Sequence, residues 1–131
     1  MILLNLRDVF CFKRKALYEA GPAEFVNLID HARCVCTNSF HAISFSIILK
    51  KDFWVFVNNK KIISTEVHPQ TRIIDLAESV GLSDRVLDPD EWQSVELGKP
   101  ICFQDVYKKL NPLRVRSKEF IQRILENGKS V

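Results

Sequence analysis

His41 closes a five-residue run, Thr37-Asn38-Ser39-Phe40-His41, in which every residue except Phe40 carries a hydrogen-bonding side chain. Histidine changes charge near neutral pH, so at this point it can protonate or bind an anionic group. Threonine, asparagine and serine of this kind either cap a helix or ligate phosphate and carboxylate. The structural alternative is the ordinary one for such a pattern: the caps hold only the backbone, and His41 covers a sheet edge or bonds a neighbouring carbonyl. Arg72 and Arg85 are further candidate anion ligands, with surface ion pairs as their ordinary alternative. His31, on a polar helix side, and His68, before Pro69, read as structural.

The remaining chemistry is narrow. Cys34 and Cys36 are two residues apart in a β-branched segment, on one face and unable to bridge each other, so the four cysteines read as reduced. A metal held by this pair with His31 or His41 would need a second spaced ligand pair that the sequence lacks. Neither a Walker loop, a G-x-G-x-x-G nor a G-x-S-x-G is present. No metal and no cofactor is expected.

The elements around the run would make it a ligand-side turn. Gly21-Pro22 marks a helix start, and Phe25, Leu28, Ile29 and Ala32 then recur at helical spacing, predicting a helix over 23–32. Cys34-Val-Cys-Thr37 reads as a central strand covered by helices on two faces. Asn38 and Ser39 are N-caps for a helix from Phe40 to Leu49 closed by Lys50, Lys51 and Asp52, and Phe53 to Val57 is the strongest strand signal in the chain. The order is α-β-α-β, with parallel strands and a right-handed crossover expected. In such a sheet, ligands sit where a strand's carboxyl end turns into a helix whose free N–H groups face the crevice.

Outside this block the signals weaken. Residues 2–6 and 9–12 are short apolar runs that suit strands, and Ile62-Ile63 suits either a short strand or a surface crossing. Ile73, Ile74, Leu76, Ala77 and Val80 predict a helix stopped by Gly81, whereas 83–91 reads as loop. Asp105 opens a short helix ending near Leu110. Asn111-Pro112 then starts another, whose buried face would be Leu113, Ser117, Phe120, Ile121, Ile124 and Leu125.

A chain of 131 residues with 47% hydrophobic and 27% charged residues fits one globular unit, too apolar for disorder and too polar for a membrane protein. The net charge of +3 is too small to point to nucleic acid, and aromatic residues do not interleave with the basic face of the carboxyl-terminal helix in the way a nucleic-acid platform requires. The charge-free stretch from Thr37 to Leu49 is shorter than the roughly 20 residues a bilayer requires, and no export signal is seen, so a cytoplasmic protein with at most peripheral membrane association is expected.

Gly21-Pro22-x-Glu24-Phe25, then Val35-x-Thr37-Asn38-Ser39-Phe40-His41-Ala42 with Phe45-Ser46-Ile47, and later Arg72-x-x-x-Leu76, Gly81-Leu82-x-Asp84-Arg85 and Asp105-Val106-Tyr107, resemble the carboxyl-terminal part of the polysaccharide pyruvyl transferase family. The resemblance implies an α/β fold: a Rossmann-like open, mainly parallel sheet with flanking helices, like the carboxyl-terminal half of a GT-B-like fold. Residues 1–20 would be the incomplete edge of that domain, and 21–131 the domain itself, ending in a helix at about 111–127. It also implies transfer of a pyruvyl ketal from phosphoenolpyruvate to a sugar of a surface or exported polysaccharide. His41 would be the catalytic residue, with Thr37, Asn38, Ser39, Phe40 and Arg72 holding the donor. Ala42 departs from the glycine many members carry. The amino-terminal domain facing the cleft is not in the chain, so the chain would be a fragment inactive alone, and the alternative is a non-enzymatic α/β module that docks to a separate amino-terminal half or another partner.

Overall fold

A computed structural model describes residues 2–4, 21–57, 70–88, 90, 91, 93, 95, 96 and 98–127. The expected strands at 9–12 and at Ile62-Ile63 lie outside these residues. The first described strand, β1 (Ile2–Leu4), pairs antiparallel with β2 (Cys34–Thr37), placing Leu3 opposite Val35. Then β2, β3 (Asp52–Phe56) and β4 (Val86–Leu87) lie side by side in parallel, giving the order β1-β2-β3-β4. This is the mixed, mainly parallel open sheet of a Rossmann-like α/β fold.

Each connection has a local cause. Helix α1 (Pro22–His31) starts on Gly21, with Pro22 in the first turn, where its missing N–H removes nothing. Helix α2 (Phe40–Ile48) stops at Lys50, whose φ of 54° puts it in the left-handed region; Lys51 N–H then reaches back to the Ser46 carbonyl at 2.8 Å. That is a Schellman closure with lysine in place of the usual glycine, at a cost of about 1–2 kcal/mol. Helix α3 (Thr71–Ser79) is stopped by Gly81 at φ 75°.

The register divides the sheet cleanly. Val35, Phe53, Val55 and Val86 face the main core, against Ile29 of α1, Ala42, Ile43 and Ile47 of α2, Ile73 and Ala77 of α3, and Val106 of the final helix. Cys36, Trp54 and Leu87 form a smaller cluster on the opposite face, with Cys34, Phe56 and Val95 against it. All four described helices pack into the main core; the expectation that helices cover β2 on two faces is met, among the described residues, on one face only.

Three readings of the later chain are corrected. The segment read as loop from 83 contains a 3-10 turn (Ser83–Arg85) and the edge strand β4, a two-residue pairing too short for alternation to reveal. The helix break expected at Asn111-Pro112 is absent: α4 runs unbroken from Phe103 to Asn127 with Pro112 inside it. Proline removes one intrahelical hydrogen bond, and here the lost partner lies on an exposed stretch of helix. The face expected to be buried is exposed, Phe120 by 59% and Leu125 by 61%. No helix among the described residues is long and apolar enough to cross a membrane.

Candidate functional site

The turn between β2 and α2 is built by its own side chains. Thr37 is the last residue of β2 and is buried, and its Oγ1 accepts the Ser39 N–H at 3.0 Å. Ser39 is the N-cap of α2, its Oγ accepting from the Ala42 N–H at 3.5 Å, a long bond. Deeper in the helix Ser44 and Ser46 donate to the carbonyls of Phe40 and Ala42, which uses their hydroxyls internally. Asn38 and His41 are exposed, and Phe40 is half-buried with its ring edge-on to the His41 ring at 6.0 Å.

The backbone N–H groups of Phe40 and His41 have no hydrogen-bond partner among the described residues. No acidic residue occupies the first turn of α2, so the partial positive charge of the helix start is not met from within. The first turn of α3 also lacks an acid, and Arg72, its second residue, lays its guanidinium over the Phe40 ring at 5.3 Å. Arg72 at the start of α3 thus reaches Phe40 at the start of α2, next to the carboxyl end of β2. The structure brings together all six residues singled out in the sequence: Thr37, Asn38, Ser39, Phe40, His41 and Arg72.

Arg85 behaves differently. It is 2% exposed, stacked 4.5 Å over Trp54, and donates from Nη2 to the Pro100 carbonyl at 2.9 Å. Among the described residues its Nε and Nη1 have no hydrogen-bond partner, Asp84 Oδ2 lying 4.0 Å from Nε, too far for one. Neither a surface pair nor a ligand of the turn, it clamps the 3-10 segment to β3. A cleft of about 230 Å³ lies beside it, lined by Gly81, Asp84, Lys99, Cys102, Asp105 and Lys109 among others, and none of the six turn residues lines it.

Sequence reasoning missed two further contacts that hold the scaffold. Asp52 Oδ1 accepts the Ile101 N–H at 2.7 Å, and Tyr107 donates its hydroxyl to the Ile47 carbonyl at 3.1 Å, covering the end of α2. Both join residues about 50 or more apart in sequence, which no local pattern reports. Cys34 and Cys36 are free thiols; their mutual hydrogen bond and burial raise the Cys34 pKa far above that of an ordinary thiol. The described residues contain no group of histidine, cysteine and acidic side chains able to hold a metal.

The chain is thus an α/β protein with a capped strand-to-helix turn, Thr37 to His41, between β2 and α2. Residues 6–60, 55 of the 131, match the model of the polysaccharide pyruvyl transferase family, a match that supports a member of that family. The matched stretch contains Thr37 to His41 and ends before Arg72. No curated protein and no solved structure matches the chain.

Proposed function

We propose that this chain is the carboxyl-terminal, donor-binding part of a cytoplasmic polysaccharide pyruvyl transferase. Its reaction moves the three-carbon unit of phosphoenolpyruvate onto two hydroxyls of a saccharide destined for a surface or exported polysaccharide. Both acceptor oxygens bond to the enol carbon, the bond to the phosphate oxygen breaks, and the methylene becomes a methyl. Of the two acceptor protons, one balances the new methyl and the other leaves with phosphate. The observation that carries the reading is the pair of free N–H groups at Phe40 and His41, with Arg72 anchored on the Phe40 ring beside them.

In this reading Thr37 and Ser39 hold the turn open, and the Phe40 and His41 N–H groups with Arg72 take the donor's phosphate or carboxylate. His41, exposed beside them, binds the donor and supplies the proton as general acid. Ala42 is fully buried in the core, so its methyl points away from the crevice and leaves the ligand space open. The facing wall and the acceptor site come, in this reading, from an amino-terminal domain, of the same polypeptide or of a partner. The test is release of phosphate from phosphoenolpyruvate with a saccharide acceptor: the isolated chain binds donor weakly and does not turn over, and robust turnover by the chain alone would contradict the need for a second half. A second reading, a non-enzymatic docking module, is favoured by the uncovered apolar side of α4.

A further inference from the structure

The apolar residues of α4 fall at Phe103, Val106, Leu110, Leu113, Ser117, Phe120 and Ile124, steps of three and four that keep one stripe in line along the helix, with Ser117 its single polar member. The first part of the stripe is used. Val106 is buried in the main core, with Phe103 and Leu110 packed against it. From Leu113 onward the same stripe, widened by Ile121 and Leu125, runs beyond the domain and is 40–61% exposed. Lys109, Arg116 and Arg123 line one edge, with Glu119 and Glu126 three or four residues from Arg116 and Arg123. Arg114 and Lys118 stand on the other side, on the rows of Ile121 and Leu125, so the free half carries four basic residues (Arg114, Arg116, Lys118 and Arg123) to two acidic ones (Glu119 and Glu126).

We propose that the free half of α4 is the docking surface for a protein partner whose contacting face is apolar and rimmed by aspartate or glutamate. Three other occupants fit less well. In a second copy packed helix to helix, an antiparallel pair sets the Arg116 and Arg123 edge against itself, and a parallel pair sets it against Arg114 and Lys118, so like charges meet either way. A flat bilayer lying on the free half would run into the domain, which occupies that same side of the helix one turn earlier. The chain's own remaining segments, 5–20 and 58–69, carry more lysine and arginine than aspartate and glutamate and do not complement a basic rim. A polypeptide seated beside the domain extends the existing core layer along the stripe and pairs its carboxylates with both edges. This goes beyond the assigned reaction and does not depend on it.

The test measures fluorescence anisotropy of labelled synthetic helical peptides with the full chain. One peptide has a leucine stripe with glutamate rims, a second the same stripe with lysine rims, and a third glutamate rims with serine in the stripe. Only the first is expected to bind. Phe120→Ser/Ile124→Ser, whose fold should survive because both positions are exposed, weakens it by about tenfold or more. Arg116→Glu/Arg123→Glu shifts the preference to the lysine-rimmed peptide. Equal binding of all three peptides, or binding of none, overturns the proposal. So does a dimer in sedimentation that Phe120→Ser/Ile124→Ser abolishes, or preferential co-sedimentation with phosphatidylserine–phosphatidylcholine vesicles.

Discussion

Replacing Thr37 with valine separates the turn's construction from the strand's packing. Valine fills nearly the same volume and favours a strand at least as well, so β2 and its register with β3 keep their apolar contacts. What disappears is the acceptor for the Ser39 N–H, now held at 3.0 Å by a 3%-exposed side chain. A fully buried donor left without a partner costs about 1–3 kcal/mol, and the half-buried Ser39 N–H falls in the lower part of that range. With an unfolding entropy near 2.1 cal/mol/K per residue over the 131 residues, 1–2 kcal/mol corresponds to a Tm lowered by about 4–7 °C. Because Ser39 is also the N-cap of α2, its displacement moves the Phe40 and His41 N–H groups, and donor affinity should fall about tenfold. Thr37→Ser keeps the acceptor and should lose only the contribution of one buried methyl, about 0.8 kcal/mol, with donor affinity retained. Differential scanning calorimetry and isothermal titration with phosphoenolpyruvate read both effects. A Thr37→Val protein with unchanged Tm and unchanged affinity would refute the claim that this hydroxyl sets the turn.

His41→Ala removes an exposed side chain, so stability should move by no more than about 0.5 kcal/mol, whereas loss of a hydrogen bond to a charged donor weakens phosphoenolpyruvate binding by about tenfold to a hundredfold; unchanged binding in titration calorimetry returns His41 to a structural role. Asp105, in the first turn of α4, accepts from the Lys108 amine at 3.0 Å, which lowers the Asp105 pKa and raises that of Lys108. Their contribution to α4 is therefore complete between the ordinary carboxylate and ammonium values. It is lost as pH falls through the lowered Asp105 value or rises through the raised Lys108 value, a small change visible as reduced helical circular dichroism at both extremes and absent at neutral pH. Alkylation mapped by mass spectrometry should modify exposed Cys102 well before half-buried Cys34, which keeps its proton, and before Cys36, whose pKa the Cys34 hydrogen bond lowers but whose burial shields it; simultaneous modification of all three would contradict that shielding.

What could be read in advance divides by range. The block from Pro22 to Phe56 was legible because each element carries a local signal: Pro22 at a helix start, apolar residues at helical spacing in α1, Ser39 as a cap, and an unbroken aromatic and β-branched run in β3. The five residues of the turn follow from that block, since a strand followed at once by a capped helix fixes where they sit. The position of Arg72 against Phe40 does not follow, because it joins helices that begin more than 30 residues apart. Arg85 was misread for a related reason: burial on Trp54 is a tertiary choice that its polar neighbours Ser83 and Asp84 do not announce. Pro112 looked like a helix start, although the three-and-four spacing from Leu110 to Leu113 runs straight across it and was the available sign of continuity. Periodicity also marked the apolar side of α4 without saying what covers it, and half of it is uncovered in the structure.

The central claim is that the start of α2 holds an anionic donor. Titrating phosphoenolpyruvate into the nitrogen-15-labelled chain and following backbone amides by NMR tests it most directly. The largest shifts are expected at Phe40 and His41, with the Arg72 side chain responding and the Lys99 and Lys109 cleft silent. Saturable shifts centred on Lys99 and Lys109, with Phe40 and His41 unmoved, would contradict the account.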